Sequence, residues 1–342
     1  MKSLTKITIL LLLSLVTFAC TDSLFPDKEP NTPTNNFDFL WHKVNEQYSF
    51  FDIKGVDWQD VYNTYRPMID DGISDDSLFN VMAAMLNTLN DGHVNLISPF
   101  NVSRADSIFE RMFKRSNINR DVVMAYYLGT NMITTGGFYH QSLHDGKIGY
   151  IYFPSFSSTI SDRDIDIILD YHKDAKGIII DIRQNGGGYI SNLWTLLNHF
   201  VCDGGALYYS QIKNGPAHDD FSDLRVVYRK SSQKYSPISK PVVILTDRGT
   251  YSAASFFALC MMSYDNAILV GDTTGGGLGL PNGGQLPNGW TYRFSITRTL
   301  SLEGQNYENG IPPHHSIILN KQNTLQGIDN VIDFACQIIL NK

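Results

Sequence analysis

Residues 241–280 read PVVILTDRGTYSAASFFALCMMSYDNAILVGDTTGGGLGL. Val242 to Thr246 is an unbroken, largely β-branched apolar run, the pattern of a strand buried on both faces. A short turn carrying Gly249 follows. Ser252 then opens SAASFFALCMM, small and apolar enough for a buried helix. Ser252 therefore sits at a strand-to-helix turn, where a hydroxyl is held clear of the sheet and the first free N–H groups of the helix point at whatever it attacks. The same position suits a serine that only caps the helix. This stretch alone leaves both roles open.

Upstream, GIIIDIRQNGGG at 177–188 puts a buried strand, Ile178 to Ile180, before Asp181, Arg183 and three consecutive glycines. With KIGYIYF from Lys147, a helical segment from Arg163 to His172 and another from Ser191 to Val201, the order is strand, helix, strand, glycine loop, helix. That is α/β architecture on a mainly parallel or mixed sheet with flanking helices, with sites at the carboxyl ends of strands. A nucleotide cradle is excluded: GxxxxGK is absent, no GxGxxG follows the strand, and Gly275-Gly276-Gly277-Leu278-Gly279 runs into Pro281 rather than a helix. Gly186 to Gly188 read either as a backbone oxyanion site or as a tight turn. VVMAYYL, from Val122, is expected as another strand. GGQLPNGWTYRFSITRTL is expected as two strands about Pro287-Asn288-Gly289, and residues 324–341 as a terminal helix.

Nearer the N-terminus, apolar residues at helical spacing mark Phe37 to Phe51, Trp58 to Tyr65 and Ser77 to Leu89 as three helices of a small lobe, residues 37–98. Ser74, before Asp75 and Asp76, suits the start of the third. Its end falls at Asn90-Asp91-Gly92-His93, with Gly92 expected in the left-handed conformation that stops a helix. A lone histidine such as His93 needs a partner before it implies chemistry.

At 342 residues, 43% hydrophobic and 18% charged, the chain is an ordinary globular protein long enough for two lobes. Its formal charge of -7 becomes -9 without residues 1–19, which carry Lys2 and Lys6 and no acid. Such a chain lacks the basic face that nucleic acid requires. Arg104, Arg111, Lys114, Arg115 and Arg120 are interleaved with Asp106 and Glu110 and read as a solvated helix face. Lys2 and Lys6 precede the apolar run Ile7 to Ala19, too short to span a bilayer and laid out as an export signal. Thr17-Phe18-Ala19-Cys20 resembles a bacterial lipobox, which makes Cys20 the acylated first residue of the mature chain and residues 20–36 a flexible tether. Cys202, Cys260 and Cys336 are odd in number and imply no disulfide framework. HExxH is absent, and His140, His144, His314 and His315 lack further ligands, so no metal or other cofactor is expected.

Five segments in order carry a family resemblance: NDGHVNL around His93, GYIYFPSF at 149–156, GIIIDIRQNGGG at 177–188, TYSAASFFA through VGDTTGG at 250–276, and YENGIPPHH at 307–315. Together they resemble peptidase family S41, the tail-specific or carboxy-terminal processing proteases, in the branch of the tricorn core protease and the retinoid-binding repeats. The resemblance spans residues 37–340 and implies a ClpP/crotonase-like catalytic α/β domain over 147–342. It implies a serine endopeptidase in which Ser252 is the nucleophile, His93 the general base and Glu308 the carboxylate that orients His93. The amides of Ala253 and of Gly187 or Gly188 would hold the oxyanion.

Departures from the family pattern are informative. The lysine of Ser-Lys members falls on Gly277, and no lysine occurs from 241 to 320, which excludes that dyad. The serine that precedes histidine in the tricorn relay is Gly92, and the usual Pro-Asp is Pro313-His314, which leaves His314 without a role. Residues 99–146 are too few for the family's PDZ domain, so substrate capture falls to the cleft and to Ser103–Asn117 as a candidate lid. The expected protein is an exported bacterial envelope lipoprotein, on the periplasmic face of the outer membrane or at the cell surface. It meets the membrane only through its anchor and acts on peptides or polypeptides. One alternative is a catalytically inactive binding protein on the same scaffold, for an apolar ligand or a peptide, with no need to bring Ser252, His93 and Glu308 together. Another is a hydrolase of other esters or amides.

Overall fold

The computed structural model describes residues 29–105, 110, 114, 116–200, 204–229 and 238–341. The export signal, Cys20, the first part of the tether, Cys202 and most of the candidate lid lie outside the described residues.

Four helices come first: α1 Pro33–Gln47, the short α2 Phe51–Lys54, α3 Trp58–Tyr65 and α4 Asp75–Asn87. The side chains of Thr32, Asp57 and Ser74 each accept a first-turn amide, so the three longer helices start where a cap residue stands. Their apolar faces meet in one core, with Phe37, Leu40, Trp58, Met82 and Leu86 fully or nearly fully buried. Next come β1 Asn95–Ile97 and α5 Arg120–Val122, which continues as a π-helical stretch, Val123–Leu128. VVMAYYL is thus helical and not a strand. Asn119 caps the amides of Asp121 and Val122, and Val122, Val123 and Leu128 are buried while Met124 and Tyr126 face out, a helical rather than an alternating pattern.

The remaining elements are β2 Ile133–Thr135, β3 Phe138–Leu143, β4 Ile148–Tyr152, α6 Asp162–Tyr171, β5 Gly177–Asp181, α7 Ile190–Phe200, β6 Gly205–Ile212, β7 Arg225–Arg229, β8 Val242–Thr246, α8 Ala253–Met261 and β9 Ala267–Gly271. They are followed by β10 Pro281–Gln285, β11 Thr291–Ser295, β12 Thr297–Leu300, β13 His315–Ser316, α9 Lys321–Leu325 and α10 Asn330–Leu340. Seven strands form the central sheet in the order β13-β9-β8-β5-β4-β3-β2. It is parallel from β13 to β4 and antiparallel at the β3 and β2 edge.

The strand runs are apolar throughout because helices cover both faces. Ile151, Ile180, Ile244 and Leu269 stand in register across β4, β5, β8 and β9 and pack under α6, α7 and α8. Their neighbours Tyr150, Ile179 and Val243 turn to the other face, against Val331, Ala335 and Ile339 of α10. The β10–β11 hairpin pairs with β1, and its Leu286, Trp290, Tyr292 and Phe294 enter the core of the N-terminal helices. Helical lobe and α/β core are thereby joined at the carboxyl ends of β5 and β8.

Candidate active site

Ser252 follows β8 and precedes α8. Its backbone, φ 54° and ψ -122°, lies where side chains are rarely tolerated, and its hydroxyl makes no capping bond. Strain of this kind costs about 1–3 kcal/mol and persists only where surrounding contacts over-determine it. Those contacts are present. The Tyr251 amide donates to the Asn185 carbonyl and the Ser252 amide to the Gly276 carbonyl, both at 3.0 Å. The fully buried Asp247 carboxylate accepts from the amides of Gly249, Gln184 and Asn117.

Freed from capping, Ser252 Oγ lies 3.0 Å from His93 Nε2. His93 arrives from the other lobe by a defined turn. The left-handed residue is Asn90, φ 48°, rather than the expected Gly92, and the Asp91 carboxylate accepts the His93 amide at 2.8 Å. Asparagine tolerates that conformation nearly as glycine does, so either residue could have ended the helix. Burial holds the imidazole neutral, lowering it to about 4 from the usual 6.5; Asp91 opposes this, while Arg293 and Lys54 reinforce it. No hydrogen bond of full geometry reaches Nδ1 among the described residues, although the Gly279 backbone joins Asp91 in raising the imidazole.

Glu308 is buried close by. Its carboxylate accepts the amides of Leu278 (2.8 Å) and Gly279 (3.2 Å) and stands 3.7 Å from Lys54 Nζ. Burial and then the Asp91 charge push its carboxyl up to about 8, against Lys54 and the two amides. Among the described residues no hydrogen bond joins Glu308 to His93; Glu308 instead fixes the 276–279 loop, its own carbonyl accepting the Gly277 amide. The same loop explains the missing lysine. Gly277 has φ 73°, and a Cβ there would lie 2.3 Å from the Tyr251 ring, so a side chain has neither the backbone nor the space.

The glycine loop after β5 closes the site. Gly187, φ 91°, is packed so tightly that a Cβ would stand 2.9 Å from both Ser252 Cβ and the Ala253 nitrogen. Its amide, however, donates to Asn185 Oδ1 at 3.0 Å, which removes it from the expected oxyanion pair. Among the described residues the amides of Gly188 and Ala253 donate to nothing. Ser252, His93, Gly187, Gly188 and Ala253 line an open cleft of about 630 Å³, with Tyr189, Ile190, Phe256, Leu280 and Arg293 as further walls. Such an arrangement can deprotonate a hydroxyl, hold an attacked carbonyl and receive an extended chain.

Three groups near Ser252 escaped the reading of the sequence. Asp91 is a buried hub that accepts the hydroxyls of Tyr48 (3.1 Å), Ser295 (3.2 Å) and Tyr251 (3.4 Å) besides the His93 amide. Its position two residues before His93 was the available signal. Lys54 and Arg293 come from distant segments and carried none. His314 accepts the Leu269 amide at Nδ1, 2.9 Å, and so belongs to the scaffold of β9. The basic cluster shows, within the described residues, Lys114 paired to Glu110. Cys260 and Cys336 are buried free thiols. Among the described residues no helix is long and apolar enough to cross a membrane, and no group of three metal-ligating side chains gathers.

The profile of Peptidase family S41 matches residues 147–317, and that of the tricorn protease C1 domain matches residues 30–87. A solved structure from Parabacteroides merdae, described as a candidate peptidase, is 35% identical with a TM-score of 0.84, over 91% of this chain and 98% of that one. Mature CPAF shares the fold at 13% identity, with a TM-score of 0.67 over 91% of this chain and 98% of that one. Carboxy-terminal processing protease CtpA of Bacillus subtilis is 29% identical over 176 residues, 51% of this chain. The matched segment makes up only 36% of that protein's length. The family profile covers half of the chain and the solved relative nearly all of it: the protein belongs to peptidase family S41.

Proposed function

We propose that the protein is a serine peptidase that hydrolyses peptide bonds in peptides or polypeptides. Ser252 Oγ attacks the carbonyl as His93 Nε2 takes its proton, the Gly188 and Ala253 amides receive the oxyanion, and His93 returns the proton to the leaving amine. A water deprotonated in turn by His93 then cleaves the ester left on Ser252, whose oxygen recovers the proton. Asp91 supplies the negative charge that favours the imidazolium. Glu308 keeps the 276–279 loop, and through it the strained Ser252 turn, in place. The observation that carries this reading is the 3.0 Å contact between Ser252 and His93 at a turn that spends backbone strain on the serine instead of using it as a cap. A binding protein would have no use for that strain.

The test is hydrolysis of quenched peptides beside chromogenic esters, read as kcat/KM against pH. His93 must be neutral to accept a proton, and burial keeps it neutral to lower pH than usual. The acid limb therefore lies below pH 6.5, towards about 4. Asp91→Asn removes the charge that raises His93, so it moves the limb lower still and depresses the plateau. An acid limb at or above pH 6.5 contradicts His93 as the buried base, and hydrolysis of esters without peptides moves the assignment to another hydrolase.

Export and lipid anchoring belong to the same proposal. The apolar run ending at Cys20 and the Pro- and Asn-rich stretch after it support acylation of Cys20, with the catalytic domain tethered to the envelope. The wild type should fractionate with membranes and Cys20→Ala should not. An unchanged membrane fraction in Cys20→Ala would remove the anchor.

A further inference from the structure

Arg293 is the single charged side chain among the described walls of the cleft besides the titratable His93. It projects from β11, opposite Asn95 of β1. Its Nη2 donates to Asn95 Oδ1 at 2.7 Å, and the Asn95 amide is itself held, donating to the Ser103 carbonyl at 3.1 Å. That partner is neutral: among the described residues no acid pairs with Arg293. An exposed guanidinium in an acidic protein, oriented by a neutral amide and lining the same cleft as the reactive serine, keeps its other N–H donors and its whole charge for something that enters the cleft. The charge is also felt by the base, since Arg293 is among the groups that lower His93.

We infer that Arg293 is a specificity-determining residue that binds a carboxylate of the substrate on the leaving-group side of the cleaved bond. The inference deepens the peptidase reading and rests on it for direction. Asn95 lies two residues beyond His93, and His93 returns its proton to the leaving amine, so the carboxylate belongs to the departing fragment. Two sources share this chemistry, a free C-terminus and an acidic side chain near the cleaved bond. The apolar Tyr189, Ile190 and Leu280 line the rest of the cleft and leave Arg293 as its anion site.

The experiment measures binding apart from hydrolysis. Rhodamine-labelled peptides of one sequence, ending in a free carboxylate, in an amide with Glu beside the cleavage position, or in an amide with Gln there, are titrated against the Ser252→Ala protein by anisotropy. At least one carboxylate-bearing peptide should bind about five- to tenfold tighter than the neutral peptide, and which of them does identifies the source. Arg293→Gln in the same background should erase the preference, Arg293→Lys should keep part of it, and added salt should weaken it. Equal binding of all the peptides, no binding of any, or a preference that survives Arg293→Gln overturns the assignment. Hydrolysis by the wild type is followed in parallel. A preference that depends on Arg293, with no hydrolysis of any peptide, supports the carboxylate site while removing the peptidase reading.

Discussion

Ser252→Ala is expected to lower kcat by about four to six orders of magnitude while leaving the fold intact, because the hydroxyl is the reacting atom and nothing in the cleft can replace it. The lost bond to His93 is a single partly exposed contact, worth about 1 kcal/mol. Alanine also inherits the φ of 54°. Ser252→Gly should therefore be equally inactive but more stable than Ser252→Ala by about 1 kcal/mol, since glycine occupies that conformation freely. Chemical denaturation of the two inactive variants reads the strain directly. Equal stabilities would mean that the turn stores none.

Arg183→Met should be the most destabilising single change in the core. The guanidinium is fully buried between Asp181 (2.6 Å) and Asp329 (3.0 Å), and it also donates to the Asn117 carbonyl. Its removal leaves two carboxylates in the interior without a counter-charge, at a cost of about 3–5 kcal/mol and a fall in Tm on the order of 10 °C. Unpaired buried carboxylates hold protons more tightly than they do unfolded, so the variant loses stability as pH rises and recovers part of it on acidification. The next residue, Gln184, has φ 57° and leads into the glycine loop, so turnover should fall even where the variant stays folded. A Tm within 2 °C or so of the wild type, on the usual scale of a kcal/mol each, would show that the network is dispensable.

How far the fold could be read from sequence varies by element. The runs at 178–180 and 242–246 are unbroken, short, largely β-branched and bounded by turn residues, which favours strands of a covered parallel sheet over helix, and the strand-to-helix turn placed Ser252 correctly. The Asn-Asp-Gly-His segment marks the end of α4, although its asparagine and not its glycine takes the left-handed position. VVMAYYL misled because a short apolar run is compatible with strand and helix alike, and the deciding cap, Asn119, stands just outside it. Long-range pairings carried no local signal. Neither the hairpin that completes the N-terminal core, nor Lys54 beside Glu308, nor Asn95 holding Arg293 has a partner within its own segment. The Asn185 side chain that accepts the Gly187 amide is likewise a contact that no residue spacing announces.

The most direct test of the account is labelling of the protein, residues 21–342, with a fluorophosphonate serine probe, with the adduct mapped by mass spectrometry. The account predicts a single adduct on Ser252 that both Ser252→Ala and His93→Ala abolish. An adduct elsewhere, labelling that persists in His93→Ala at the wild-type rate, or a folded wild type that does not react would contradict it.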